Sequence, residues 1–338
     1  MKFPDTQLSK EQARPFYELL GELRSLRNRP VLGRCMYWSG NCDAPPIGSH
    51  LLSRSWLEEI ADDTNHILQL QMVTENLCNE PAQIAPRRVG VKLATTFPGF
   101  CEKHDDEIFA CLEKTMFSAD KKQLAALRYR SLCREACAKH QIVGATLGNA
   151  LTESAPPHVA SHIVGEMKRC MLLLKEKQSF EEARNNDDVQ SYVVKFAKRP
   201  TVLVSATIHP LLTFTGRSLE FRPEWITVTI LPSGNQGFAV FTWSKKAPKN
   251  SSLVIKTFRS LPARNQTLAL IYLALEASEN HAISPEWWNS LDQYRQQALM
   301  RRFGRVFISR RDPVVPDEVF VVNEKSWVDW EPVESYYV

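Results

Sequence analysis

The sequence predicts an α+β protein, with a mainly helical, metal-bearing first half and a mixed second half of strands and helices. Three observations carry this. Apolar residues recur at helical spacing through much of the first 180 residues. From Ser191 onward, short runs rich in Val, Ile, Thr and Phe have the composition and alternation of strands. The eight cysteines, at 35, 42, 78, 101, 111, 133, 137 and 170, all precede that change. The polar run Glu181–Asp188 is the expected boundary. It divides the chain into a first domain at 1–118, a helical extension at 119–180 and a basic α+β domain at 189–338 with an acidic tail.

Taken in order, residues 9–27 carry Phe16, Leu19, Leu20, Leu23 and Leu26 on one helical face, and Pro30 stops the helix. The stretch from Val31 to Ser49 is rich in Gly and Pro and reads as loop. Ser53 caps a short helix whose apolar side is Trp56, Leu57, Ile60 and Ala61. Ile67–Val73 and Val89–Thr95 alternate as strands. A helix opens at Cys101 and runs to Glu113, with Asp105, Asp106 and Glu107 in its first turn, where the helix dipole favours acids. Two longer helices are expected at about 120–140 and 157–178. Beyond the boundary, strands are expected at 191–196, 201–208, 225–231, 238–243, 305–309 and 318–322, with helices at 263–278 and 285–302.

Composition narrows the class. With 43% hydrophobic and 24% charged residues the chain has the balance of a folded globular protein rather than a disordered one. No apolar run is long enough to span a bilayer, and the N-terminal residues lack the apolar core of a secretion signal. The expected location is therefore cytoplasmic, where cysteines serve as metal ligands or core residues more than as disulfides. The net charge of +4 hides an asymmetry: Lys195–Arg311 holds 17 basic residues against 6 acids, and Asp312–Val338 holds 7 acids against one Lys. A basic body of that kind suits a polyanionic partner, and an acidic tail can also fold back on it.

The cysteines and histidines supply a metal site. Cys101 and His104 stand three apart at a helix start, so both side chains share one face. Cys35 and Cys42 flank the Gly-containing loop CMYWSGNC. Four such ligands in two pairs are what a structural Zn²⁺ takes. The order loop pair, strands, then helix-borne pair is that of a treble-clef zinc fold. Cys133, Cys137 and His140 also share a helical face, but among apolar neighbours they read as core.

These residues resemble the HNH endonuclease superfamily in its zinc-stapled form over about 35–110. CMYWSGNC is similar to the family's knuckle, GSHLLSRS to its first-histidine segment, and FPGFCEKHD to the second zinc pair and last helix. The resemblance implies that His50 is a general base activating water beside a catalytic Mg²⁺ or Mn²⁺. Ser49 stands where the family often has a metal ligand, and Ile108 and Phe109 occupy the region of its last histidine. Asp105, near the family's Asn position, or else Asp106 or Glu107, is left to hold the cation. In the second half, Lys245, Lys246 and Lys249 follow a strand, and Arg301, Arg302, Arg305, Arg310 and Arg311 surround Phe303 and Phe307. Basic side chains among aromatics suit phosphate contact and base stacking. The expectation is a nucleic-acid-binding protein, as a metal-dependent nuclease such as would serve defence against foreign DNA. The alternative is a non-catalytic zinc-stabilised module or subunit with a protein partner. Walker A, GxGxxG, GxSxG and HExxH patterns are absent, which sets small-molecule enzymes last.

Overall fold

A computed structural model describes residues 34–37, 42–73, 83–149, 157–183, 188–220, 222, 224–246, 248–304 and 328–338. The expected helix at 9–27, the strands at 305–309 and 318–322, and Arg305, Arg310 and Arg311 lie outside these residues. The described elements, in order, are β1 (Gly48–His50), α1 (Arg54–Glu58), β2 (His66–Val73), β3 (Gln83–Gly90), β4 (Thr96–Pro98), α2 (Glu102–Glu113), α3 (Lys121–Asn149) and α4 (Pro157–Ala183). Then come β5 (Val189–Phe196), β6 (Val202–Ile208), β7 (Ile226–Ser233), β8 (Gln236–Ser244), α5 (Lys249–Arg259), α6 (Ala263–Ala277), β9 (His281–Ile283), α7 (Pro285–Ser290), α8 (Gln293–Gly304) and β10 (Pro332–Tyr337).

The protein is α+β, and eight of the strands form one sheet in the order β10-β5-β8-β7-β6-β9-β2-β3. Every pairing in it is antiparallel, so the sheet is not mixed. Strand alternation sends side chains to two separate cores. Tyr192, Val194 and Phe196 of β5, with Ile226, Val228 and Ile230 of β7, pack against Val254, Phe258, Leu268 and Ile271 of α5 and α6. Their neighbours Val193, Leu231 and Val240 face the opposite way, toward Leu51, Phe100, Phe109, Leu124 and Leu127. Helices thus cover both faces, which is why the central strands are buried almost throughout.

On the α3 side the sheet also buries hydroxyls. Thr207 Oγ1 donates to Ser131 Oγ of α3 at 3.0 Å and lies 3.0 Å from Thr227 Oγ1, while Ser205 and Thr229 pair at 3.2 Å. Arg128 of α3 is fully buried there; its Nη1 donates to the Thr242 carbonyl at 3.0 Å and its Nη2 pairs with Glu176 of α4. Each of these groups would be costly to bury alone and has a partner instead.

The sheet crosses the expected domain boundary. β2 and β3, from the first domain, join β6 through β9. The joint is tightened by His281, whose Nε2 accepts the Leu70 amide at 2.9 Å. Because that amide turns away from β3, Pro86, which pairs with Leu70, presents its missing N–H to the outer edge, where proline is tolerated. A proline-bearing edge strand at 83–90 stands in place of the strand expected at 89–95. Residues Val91–Thr95 instead form a turn, with the Leu93 and Ala94 amides returned to the Gly90 carbonyl. The helix expected at 285–302 is interrupted at Leu291–Asp292. Trp287 and Trp288 are buried in the core, not displayed for a partner. Part of the acidic tail folds back: β10 pairs with β5, opposing Glu334 to Lys195, and Asp329 bonds Lys198 at 2.9 Å.

Candidate metal centre

The metal site adjoins the small two-stranded sheet of β1 and β4, which pair antiparallel across the intervening α1, β2 and β3. Two backbone bonds lay the first loop along the chain that leads into α2: the Met36 amide donates to the Gly99 carbonyl at 2.8 Å, and the Ile47 amide to the Phe100 carbonyl at 2.7 Å. Gly99 is needed there, because a Cβ would fall 2.2 Å from the Phe97 ring. Cys101 then stands at the N-cap of α2, and His104 follows one turn in.

The ligand atoms of Cys35, Cys42, Cys101 and His104 all lie within 4.8 Å of one another. A zinc tetrahedron with ordinary bond lengths has edges of about 3.8 Å between sulfurs and about 3.5 Å between sulfur and imidazole nitrogen. The Cys42 and Cys101 sulfurs are 3.9 Å apart, and His104 Nδ1 is 3.4 Å from both Cys35 and Cys101. The four atoms are therefore spaced as ligands of one ion. Among the described residues no other such group of three or more His, Cys, Asp or Glu occurs.

Backbone amides point at two of the sulfurs. Cys35 Sγ receives the Cys101 amide at 3.3 Å and that of Tyr37, and Cys101 Sγ faces the amides of His104 and Lys103. Burial pushes the Cys35 thiol up to about 11. Burial pushes Cys101 up as well, but the helix-start amides and the neighbouring sulfurs outweigh it and hold that thiol below its ordinary value. The Tyr37 ring stacks on His104 at 4.0 Å and fixes the imidazole plane. Thiolates held by backbone amides, with Nδ1 of an oriented imidazole, suit Zn²⁺.

A second polar group adjoins the metal site. His50 ends β1, and its Nε2 lies 3.0 Å from the Val91 carbonyl. A carbonyl only accepts, so Nε2 carries a proton in this contact, and in the neutral ring Nδ1 is then the acceptor. Asp105, next to His104, faces Arg130, Ser49, Glu113 and His50. Burial pushes its carboxyl up from the usual carboxylate range, against the opposing pull of Arg130. The buried Ser49 hydroxyl lies beside the Asp105 carboxyl and helps to hold it in its charged form. Glu113 Oε1 meets Arg130 Nη2 at 2.8 Å and the Ser53 hydroxyl at 2.9 Å, and the guanidinium lies 4.1 Å from the centre of the Phe109 ring.

The structure separates the three acids open to a catalytic cation. Asp106 is exposed and pairs with Lys114 at 2.6 Å; Glu107 is exposed beside Lys103 at 4.0 Å. Asp105 is the half-buried one and feels the charge of His50. Glu113, Arg130 and Val91 had no place in the sequence reading. The one available signal was Arg130, a charge within the apolar run of α3. Cys133 and Cys137 are buried core residues.

Of the basic candidates in the second half, the described ones have surroundings of their own. Lys245 and Arg301 are exposed, and Lys246 lies 3.7 Å from Asp188. Arg302 turns inward: it pairs with Glu276 at 2.8 Å and stacks 3.6 Å above the Tyr272 ring. No described helix is long and apolar enough to cross a membrane. No family model, curated protein or solved structure matches the chain.

Proposed function

We propose that the chain is a zinc-stapled protein of HNH-like, treble-clef type that hydrolyses nucleic acid. Zn²⁺ on Cys35, Cys42, Cys101 and His104 holds β1 and α2 together. His50 is the general base, and Asp105 the residue that holds a catalytic Mg²⁺ or Mn²⁺. The observation that carries this reading is the state of His50. Its Nε2 donates to the Val91 carbonyl, which in the neutral ring leaves Nδ1 as the acceptor, and the Asp105 carboxyl is near enough to feel the imidazole's charge. His50 Nδ1 would take the proton of a water attacking phosphorus. The cation, when bound, would neutralise charge on the phosphate. Exposed Lys245 and Arg301 are the remaining candidates for backbone contact.

A second reading has one observation in its favour. Asp105 and Glu113 share Arg130, and the described residues bring no third ligand to His50 and Asp105. On that reading the group is a structural ion-pair network, and the protein is a non-catalytic module. The two readings part in one experiment. Plasmid, single-stranded DNA and RNA are incubated with wild type and His50→Ala, each with Mg²⁺ and with Mn²⁺, and zinc content is measured alongside. Cutting abolished by His50→Ala at unchanged zinc content is expected. Wild type that cuts none of these substrates with either cation leaves the binding module.

A further inference from the structure

The turn Val91–Thr95 grips His50 from two directions. At one end the Val91 carbonyl takes the imidazole Nε2 at 3.0 Å. At the other, Thr95 takes the two amides that follow His50: Leu51 donates to its carbonyl at 3.0 Å and Leu52 to its hydroxyl at 3.4 Å. Thr95 does this with φ at 56°, a left-handed conformation that a β-branched residue rarely adopts. It is one of three described non-glycine residues with positive φ, and it is 7% exposed. Glycine would fit that backbone without strain, but it has no hydroxyl to offer Leu52. Strain of this kind persists only where surrounding bonds hold it in place.

We infer that Thr95 is a positioning residue for His50: its hydroxyl locks the turn so that the Val91 carbonyl fixes the imidazole in the Nε2–H tautomer. The catalytic consequence rests on the nuclease reading; the tautomer does not. The β1 exit and the imidazole acceptor belong to one five-residue turn. Loosening that turn at Thr95 therefore loosens both ends of the histidine's setting.

The test is ring ¹⁵N spectroscopy of histidine-labelled protein at about pH 8, where an ordinary imidazole is neutral, with His50→Asn assigning the signal. Wild type and Thr95→Ser, which keeps the hydroxyl, should show a single Nε2–H pattern with a ring proton protected from solvent exchange. Thr95→Gly, which relieves the backbone strain, should keep zinc content and circular dichroism but lose that protection and give averaged ring shifts. If wild type cuts nucleic acid, Thr95→Gly should lower kcat at unchanged KM, and Thr95→Ser should restore it. A Thr95→Gly protein that keeps the protected Nε2–H pattern overturns the inference, as does a wild type in the Nδ1–H form. If wild type cuts nothing, the nuclease reading fails while the ring spectra still decide the role of Thr95.

Discussion

His281 ties the first half of the chain to the second, and its protonation has a predictable price in stability. It is completely buried at the joint of β9 with β2, where Nε2 accepts the Leu70 amide. Burial lowers its pKa from 6.5 to about 4, although the Ser278 carbonyl pulls the other way. The folded state therefore binds this proton less readily than the unfolded chain. Its contribution is fully present above pH 6.5 and is lost as pH falls from about 6.5 toward 4. The difference between 6.5 and about 4 corresponds to about 3 kcal/mol. The perturbation is His281→Gln, whose amide oxygen can still accept from Leu70 but does not titrate. Urea unfolding, followed by tryptophan fluorescence between about pH 7.5 and 4.5, gives the stability of both proteins. The wild type should be the more stable at the upper end, and the difference should shrink or reverse by about 2 kcal/mol near pH 5. Parallel pH curves for the two proteins would refute the reasoning, because the histidine would then not be held neutral by burial.

Three further outcomes follow from the packing. Wild type should carry about one zinc per chain, and Cys101→Ser should lose it together with cooperative melting of the first half. A metal-free but well-folded wild type would sink the zinc assignment. Lys177→Met should cost about 3 kcal/mol, because it strips the ion-pair partner from the buried Glu181 carboxylate. The double variant with Glu181→Leu should recover part of that loss, and additive losses in denaturant titrations would count against the pairing. Gly237→Ala should destabilise by about 1–3 kcal/mol, since its Cβ would lie 2.3 Å from Pro200 Cδ and 3.1 Å from the Lys198 carbonyl. An unchanged melting temperature would contradict that close approach.

What the sequence showed and what it hid have physical reasons. Cys35, Cys42, Cys101 and His104 were readable because a metal accepts few residue types, and a helix start fixes the spacing of one pair. Strands β5 to β8 were readable because burial on both faces leaves them rich in Val, Ile and Phe. β3 was misplaced because Pro86, Arg87 and Arg88 suit an outer edge, whereas Val89–Thr95 has the β-branched composition of a strand. That composition was overridden by the bonds that pull Thr95 into a turn. β9 has three residues and β10 is mostly exposed, so neither has a pattern long enough to notice, and α5 hides behind the two serines of its first turn. The expected division at Glu181–Asp188 reflected a change of composition. Hydrogen bonding across the sheet depends instead on β9 meeting both β2 and β6, which no local pattern encodes.

The position of the zinc ligands bears on how the neighbouring group can work. Cys101 caps α2 and follows β4, β4 pairs with β1, and His50 ends β1. Asp105 follows the ligand His104 directly and returns its amide to the Cys101 carbonyl at 2.9 Å. The relation between His50 and Asp105 is thus set by the β1–β4 pairing, by the Val91–Thr95 turn and by the buried packing of Leu51, Leu52, Phe97 and Phe100, to which an ion on the four ligands would add. The β1–β4 pair has only three residues in each strand, too few to be stable alone in water. An ion on the four ligands would add a cross-link between the loop of Cys35 and Cys42 and the start of α2. A zinc ion that touches no substrate should then still be required for whatever His50 does. Stripping it should abolish function in proportion to the loss of the β1–α2 geometry, and restoring Zn²⁺ should recover both together.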